Sequence, residues 1–222
     1  MLVREPMPLA LFDLDRTLLS VNSASLWVRR QWREGRLPTG KLALAGWWLG
    51  LYRLGLMQAD RALYDAVATL AGQREEDLEA RTRTFWVEEC LPALRPGARA
   101  AVERHRAQGH RTALCTSSSA WISRCAVEAL DLDDHLCTRV EVVDGTLTGR
   151  IAGTPNFGAG KLTNLEQYAA AAGISLGNVW FYTDSAADLP LLRAVGHPVC
   201  VAPDPRLARE ARLKGWAVED WG

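Results

Sequence analysis

The chain has 222 residues, of which 48% are hydrophobic and 23% charged, with 26 basic side chains against 26 acidic ones. That length suits one large domain, or one domain carrying a sizeable insert, and the charge balance removes the cationic excess that marks nucleic-acid binders. It also leaves self-association into a homodimer unopposed by net charge.

The first expected element is a strand over residues 8–13, an apolar run that ends on an acid. About eighty residues of helical pattern follow. "SASLWVRRQWREG" (23–35) opens on serines suited to capping and stops at Gly35, while "ADRALYDAVATLAG" (59–72) sets Leu63, Val67 and Leu70 at helical spacing. "EEDLEARTRTFWVEECL" (75–91) gathers acids in its first turn, where the helix dipole favours them. Between these lies "LALAGWWLGLYRLGLM" (42–57), apolar on all sides except for Arg53. It is shorter than the roughly 20 residues of a bilayer span, so a buried helix is expected there rather than a membrane contact.

After "RPG" the pattern changes. A helix over 98–108 leads into the strand-like "RTALCT" and a further helix after "SSS". "TRVEVVDGTLTGRI" reads as a hairpin turning at Asp144-Gly145. Helix 160–172, strand "VWFYT", helix 188–194 and strand "PVCVA" complete an alternation that calls for a parallel sheet covered on both faces. The fold class expected is therefore α/β, a doubly wound and mainly parallel sheet. Residues 1–20 and 93–222 form the core, and a helical insert over 21–92 forms a cap.

In such sheets chemistry gathers at the carboxyl edge of the strands. Three polar clusters end apolar strands here: Asp13-Leu-Asp15-Arg-Thr17, Thr116-Ser117-Ser118 and Asp184-Ser-Ala-Ala-Asp188; "GAGK" places Lys161 at a helix start between the last two. Asp13 and Asp15, two apart on an extended chain, face the same way, and like charges so close need compensation. A hard divalent cation answers this, and Mg²⁺ favours a few carboxylates with water and substrate phosphate. A carboxylate nucleophile, a cation and a lysine suffice for phosphoryl transfer, which is mainly positioning and charge neutralisation. Thr17 and Ser118 read more simply as turn or capping groups.

These four motifs, in this order and with a helical insert after the first, resemble the haloacid dehalogenase superfamily, in its phosphoserine-phosphatase-like branch. The resemblance implies a Mg²⁺-dependent phosphatase that hydrolyses a small phosphorylated metabolite through an aspartyl-phosphate. Asp13 would be the nucleophile and Asp15 the acid and base, while Lys161 would hold the nucleophile and the developing charge. Thr116, with Ser117 as its rival, would bind phosphate. Mg²⁺ would lie on Asp13, the backbone carbonyl of Asp15 and Asp184, with Asp188 orienting that shell or binding through water. Asn22 stands where phosphoserine phosphatases carry a substrate-reading glutamate, which argues against phosphoserine. Relatives also carry Gly where this chain has Thr183 and Asn where it has Ala187. A phosphotransferase or mutase on the same residues, and a catalytically silent metabolite-binding module, are the rival readings.

The remaining features read as structure. Cys90, Cys115, Cys125, Cys137 and Cys200 include no C-x-x-C pair, and the N-terminus lacks a signal-peptide pattern, which together point to a reducing, cytoplasmic setting. Trp27, Trp32, Trp47, Trp48 and Trp86 are expected to build the cap core, and Arg29, Arg33 and Arg36 a solvated helix face.

Overall fold

The computed structural model describes residues 7–36 and 59–222. The apolar run 42–57, with Trp47 and Trp48, lies outside them. Six strands form one sheet in the order β3-β2-β1-β6-β7-β8: β1 (Leu9–Phe12), β2 (Arg111–Ser119), β3 (Asp134–Thr138), β6 (Val179–Thr183), β7 (His197–Val201) and β8 (Ala217–Glu219). Every neighbouring pair is parallel. β1 lies between β2 and β6, so the strand order reverses about it and a crevice opens at its carboxyl end.

Buried on both faces, β1 is apolar at every position, as parallel strands are. Ala10 and Phe12 join Leu114, Tyr182 and Val199 under helices α4 (Pro96–Ala107) and α5 (Ala120–Leu130). Leu9 and Leu11 join Ala113, Phe181 and Cys200 under α6 (Ala159–Ala172), the single turn α7 (Leu189–Leu192) and α8 (Pro205–Lys214). The helices thus cover both faces, and all five cysteines are buried and unpaired.

Three described helices, α1 (Ser23–Arg33), α2 (Ala59–Ala68) and α3 (Glu75–Phe85), fall between β1 and α4. The hairpin β4 (Val140–Val143) and β5 (Thr146–Ile151) turns at Asp144-Gly145 as its sequence demands. Its buried Val140 and Leu147 pack with Val67, Leu78 and Trp121, so the hairpin belongs to the same small core as α2 and α3. Both ends of the insert meet at a narrow neck. Leu19 bridges Leu94, Ser20 N–H donates to Ala93 O at 2.9 Å, and Arg95 N–H donates to Leu18 O at 2.9 Å. Arg33 pairs with Glu89 and Arg36 with Glu34, while Arg30 reaches Glu34 and Glu88, so the basic face of α1 is laced into surface ion pairs. Trp27 and Trp86 are core, whereas Trp32 is exposed.

Beneath β1 and β6 a polar chain runs from the surface through buried Tyr182 and His105. Arg104 donates to the Tyr182 hydroxyl at 3.2 Å, that hydroxyl meets His105 Nε2 at 2.8 Å, and His105 Nδ1 meets His110 Nδ1 at 2.8 Å. Phe12 stacks on Tyr182 with centroids 4.9 Å apart.

Candidate active site

All three strand-end clusters converge at the carboxyl edge of β1, β2 and β6. Asp13 directly follows β1, and its N–H extends the ladder by donating to Tyr182 O at 2.9 Å. The chain then folds into a tight loop over Leu14–Leu18, with Arg16 at φ +61°, a left-handed conformation unfavourable for a residue with a Cβ. Arg95 supports it by donating to the Arg16 carbonyl at 3.3 Å. This loop returns Thr17 underneath the two acids that flank it.

The centre of the site is a buried ion-pair triad. Lys161 Nζ lies 2.7 Å from Asp13 Oδ1 and 2.8 Å from Asp188 Oδ2, with Lys161 and Asp188 each only 3% exposed. Lys161 reaches this place from the first turn of α6. Gly160 before it presses so closely on the preceding loop that a Cβ would stand 2.1 Å from Pro155 O. Asp184 sits opposite. Thr17 Oγ1 lies 3.4 Å from Asp13 Oδ2 and 3.5 Å from Asp184 Oδ1, and it accepts the Asp184 N–H at 3.0 Å. Asp204, which caps α8, also accepts the Ala186 N–H at 2.7 Å and so pins the loop that carries Asp184.

Electrostatics follow from burial. Desolvation, opposed by Lys161 but aided by Asp188 and Asp184, pushes the Asp13 carboxyl up to about 8. Burial, aided by Asp188, pushes Asp184 up to about 6. Burial alone would lower the Lys161 ammonium, but Asp13 and Asp188 more than reverse that and hold it charged. The cluster is therefore over-supplied with carboxylates for one ammonium. The facing oxygens of Asp13 and Asp184, hard donors both, fit a small divalent cation such as Mg²⁺. Among the described residues no three acidic, imidazole or thiol side chains form a closed metal cage. The fit is thus to an ion held by two carboxylates, with other oxygens completing its shell.

The four acids named from the sequence do not all play one part. Asp15 has both carboxylate oxygens engaged by serines. One carboxylate oxygen accepts the Ser23 N–H at 2.6 Å and the other the Ser118 hydroxyl at 3.3 Å. Asp188 is committed on Oδ2 to Lys161 and to the Thr183 hydroxyl, 2.7 Å away. Thr116 is buried at the end of the apolar part of β2, with its Oγ1 accepting the Ser118 N–H at 3.2 Å; Ser117 is half-buried beside it. Asn22 is the N-cap of α1, its amide oxygen taken by the Ser25 N–H and hydroxyl, both at 2.9 Å.

Thr17 and Ser118, read from the sequence as turn groups, both touch the acidic centre. Ser23, Asn156 and Thr183 carry no motif that announces them. Asn156 is fully buried and donates to Thr116 O and Leu136 O, both at 2.9 Å, tying β2 to β3 at the strand end. Its one signal is position, five residues before Lys161.

A model of the haloacid dehalogenase-like hydrolases matches residues 10–193. The chain belongs to that family. A histidinol-phosphatase from Neisseria meningitidis serogroup C (strain 8013) is 34% identical over 215 residues, covering 95% of this chain and 97% of that one. A crystal structure of a Bordetella pertussis Tohama I protein of unknown function superposes with a TM-score of 0.90 at 33% identity, covering 98% of this chain and all of that one. A substrate-bound phosphoserine phosphatase shares the fold at TM-score 0.69 and 21% identity, covering 98% of this chain and 95% of that one. The family match and the alignment with a histidinol-phosphatase place this hydrolase in the phosphoserine-phosphatase-like branch.

Proposed function

We propose that this hydrolase is a Mg²⁺-dependent phosphatase that cleaves a small-molecule phosphomonoester through an aspartyl-phosphate on Asp13. The observation that carries this reading is the buried Asp13–Lys161–Asp188 triad with Asp184 facing Asp13. An Asp13 oxygen attacks phosphorus as the bond to the leaving alcohol breaks. Asp15 gives the leaving-group oxygen its proton. A water then attacks the aspartyl-phosphate, Asp15 takes its proton, and Asp13 and inorganic phosphate are released. Lys161 neutralises charge on Asp13 and on the phosphoryl oxygens, and Thr116 donates its hydroxyl proton to one of them. Asp13, Asp184 and the backbone carbonyl of Asp15 would hold Mg²⁺, with Asp188 acting through Lys161 or a water. The ion would supply positive charge for the phosphoryl group.

Residues 21–92 would act as a cap over the core, shedding water and selecting the leaving group. Histidinol phosphate is the first substrate to try, because a histidinol-phosphatase aligns along nearly the whole chain. Phosphoserine is disfavoured, since Asn22 presents no carboxylate to its ammonium and uses its amide oxygen as a helix cap. The buried free thiols suit a reducing, cytoplasmic setting.

The test is phosphate release from histidinol phosphate and p-nitrophenyl phosphate by the wild type and Asp13→Asn, with Mg²⁺ and with EDTA. Metal-dependent turnover that disappears in the variant is expected. Folded wild type that releases no phosphate from either ester in Mg²⁺, or turnover that survives Asp13→Asn, would overturn the reading.

A further inference from the structure

Asp15, like Asp13, is held at both oxygens by groups from different parts of the chain. Oδ1 accepts the Ser23 N–H at 2.6 Å, which is the first N–H of α1 and has no partner within its own helix. Oδ2 meets the Ser118 hydroxyl at 3.3 Å, on the last turn-ward stretch of β2. The Ser23 and Ser118 hydroxyls stand 3.5 Å from each other, so the three side chains form one small polar cluster. The Asp15 backbone is extended, at φ −72° and ψ 124°, and the next residue is left-handed, so its own loop does not dictate where the carboxyl points.

An acid that delivers a proton must keep one oxygen within reach of the leaving group before and after delivery. The Ser23 N–H can only donate, and it fixes Oδ1. The Ser118 hydroxyl donates to Oδ2, and the second lone pair of that oxygen is left for the proton that goes to the leaving group. Ser118 therefore keeps hold of Oδ2 whether or not Asp15 carries the proton. We propose that Ser118 is a positioning residue that holds Asp15 in line with the leaving-group oxygen, with the first N–H of α1 as its fixed counterpart. This rests on the phosphatase reading above, and it assigns to the third residue of "TSS" a part distinct from the phosphate contact of Thr116. The proton balance is that of the first half-reaction. The P–O bond to the leaving group breaks, its electron pair stays on that oxygen, and the proton on Asp15 closes the alcohol.

The experiment exploits leaving-group chemistry. A p-nitrophenolate leaves with little need of a proton, whereas an alkoxide such as that of histidinol phosphate depends on one. Because kcat/KM reports only steps up to formation of the aspartyl-phosphate, it isolates this proton delivery from the later attack of water. Ser118→Ala is expected to lower kcat/KM for histidinol phosphate about tenfold or more, a fraction of the ~100-fold that general acid catalysis commonly contributes, and to change that for p-nitrophenyl phosphate less than about threefold. Ser118→Thr, which keeps the hydroxyl, restores the alkyl ester. In an Asp15→Asn background Ser118→Ala has no further effect, because the two act as one unit. Circular dichroism and thermal midpoints confirm that each variant is folded.

Equal losses on the two esters, or no loss on either, would overturn the positioning role while leaving the phosphatase reading intact. Inactivity of the wild type towards both esters would overturn that reading and this inference with it.

Discussion

His105 should make the protein markedly less stable in mild acid, because its ring is buried beside His110 and Arg104. Arg104 donates to the Tyr182 hydroxyl, which shares a hydrogen bond with His105 Nε2, and His105 Nδ1 shares one with His110 Nδ1. Burial, with His110 and Arg104 nearby, lowers the His105 pKa from 6.5 to about 4, and the residue is only 3% exposed. The folded value lies below the unfolded one, so between these limits the unfolded chain binds more protons and stability rises with pH. The penalty is absent above about pH 7, has reached about 2 kcal/mol by pH 5, and approaches about 3 kcal/mol at pH 4 and below. Urea unfolding of the wild type and His105→Gln at pH 7, 6, 5 and 4 measures it. The difference between the two proteins should shift in favour of the variant by those amounts on acidification, while the site carboxylates, common to both, cancel. Parallel pH profiles would refute the argument, because they would mean that His105 is protonated in the folded protein as easily as in the unfolded one.

Lys161→Met should abolish turnover and cost about 3–5 kcal/mol in urea unfolding at pH 7, since it leaves Asp13 and Asp188 buried without their cation. Thr183→Val removes a donor to Asp188 and the acceptor for the Ser185 N–H; a loss of about 1–3 kcal/mol and lower kcat are expected, with Thr183→Ser near wild type in both assays. Gly160→Ala sets a Cβ against Pro155 O and must displace the turn that carries Lys161. Its turnover should fall further than its thermal midpoint predicts, and an unchanged kcat would show that the turn yields without moving the lysine.

The elements that read most clearly from sequence were those whose surroundings are uniform. β1 and β6 are sealed on both faces and so appear as unbroken apolar runs. β3, "DHLCT", lies at a sheet edge and is buried only at its far end, and β8 spans three mostly exposed residues; neither has a periodic pattern to announce it. α8 follows an Asp-Pro cap but carries five charged side chains in ten residues, which hide its two buried positions, Leu207 and Ala211. In the site, the acids and the lysine were legible because their spacing encodes strand ends and a helix start. Thr17 and Ser118 were not, because a hydroxyl near a turn has an ordinary local explanation. Ser23, Asn156 and Thr183 owe their roles wholly to tertiary contacts, across 8, 40 and 5 residues of chain. Thr183 shows the point most directly: a departure from the expected glycine becomes the group that helps fix Asp188.

The neck at Leu18–Ser20 and Ala93–Arg95 makes the insert an interchangeable part. Its two ends are hydrogen-bonded to each other at 2.9 Å, so the core meets the whole excursion as one closed pair of strands, whatever its length. Lengthening a closed loop costs only about 0.6 kcal/mol per doubling, which lets helices be added or lost there without disturbing the sheet. Contacts of α3 with α5 and of α2 with the hairpin limit that freedom, and so does the Ser23 N–H on Asp15, a donor that any replacement segment must offer ten residues after Asp13. If the insert selects the substrate as proposed, selection can rewrite that choice away from these contacts, while the opening turn stays tied to Asp15.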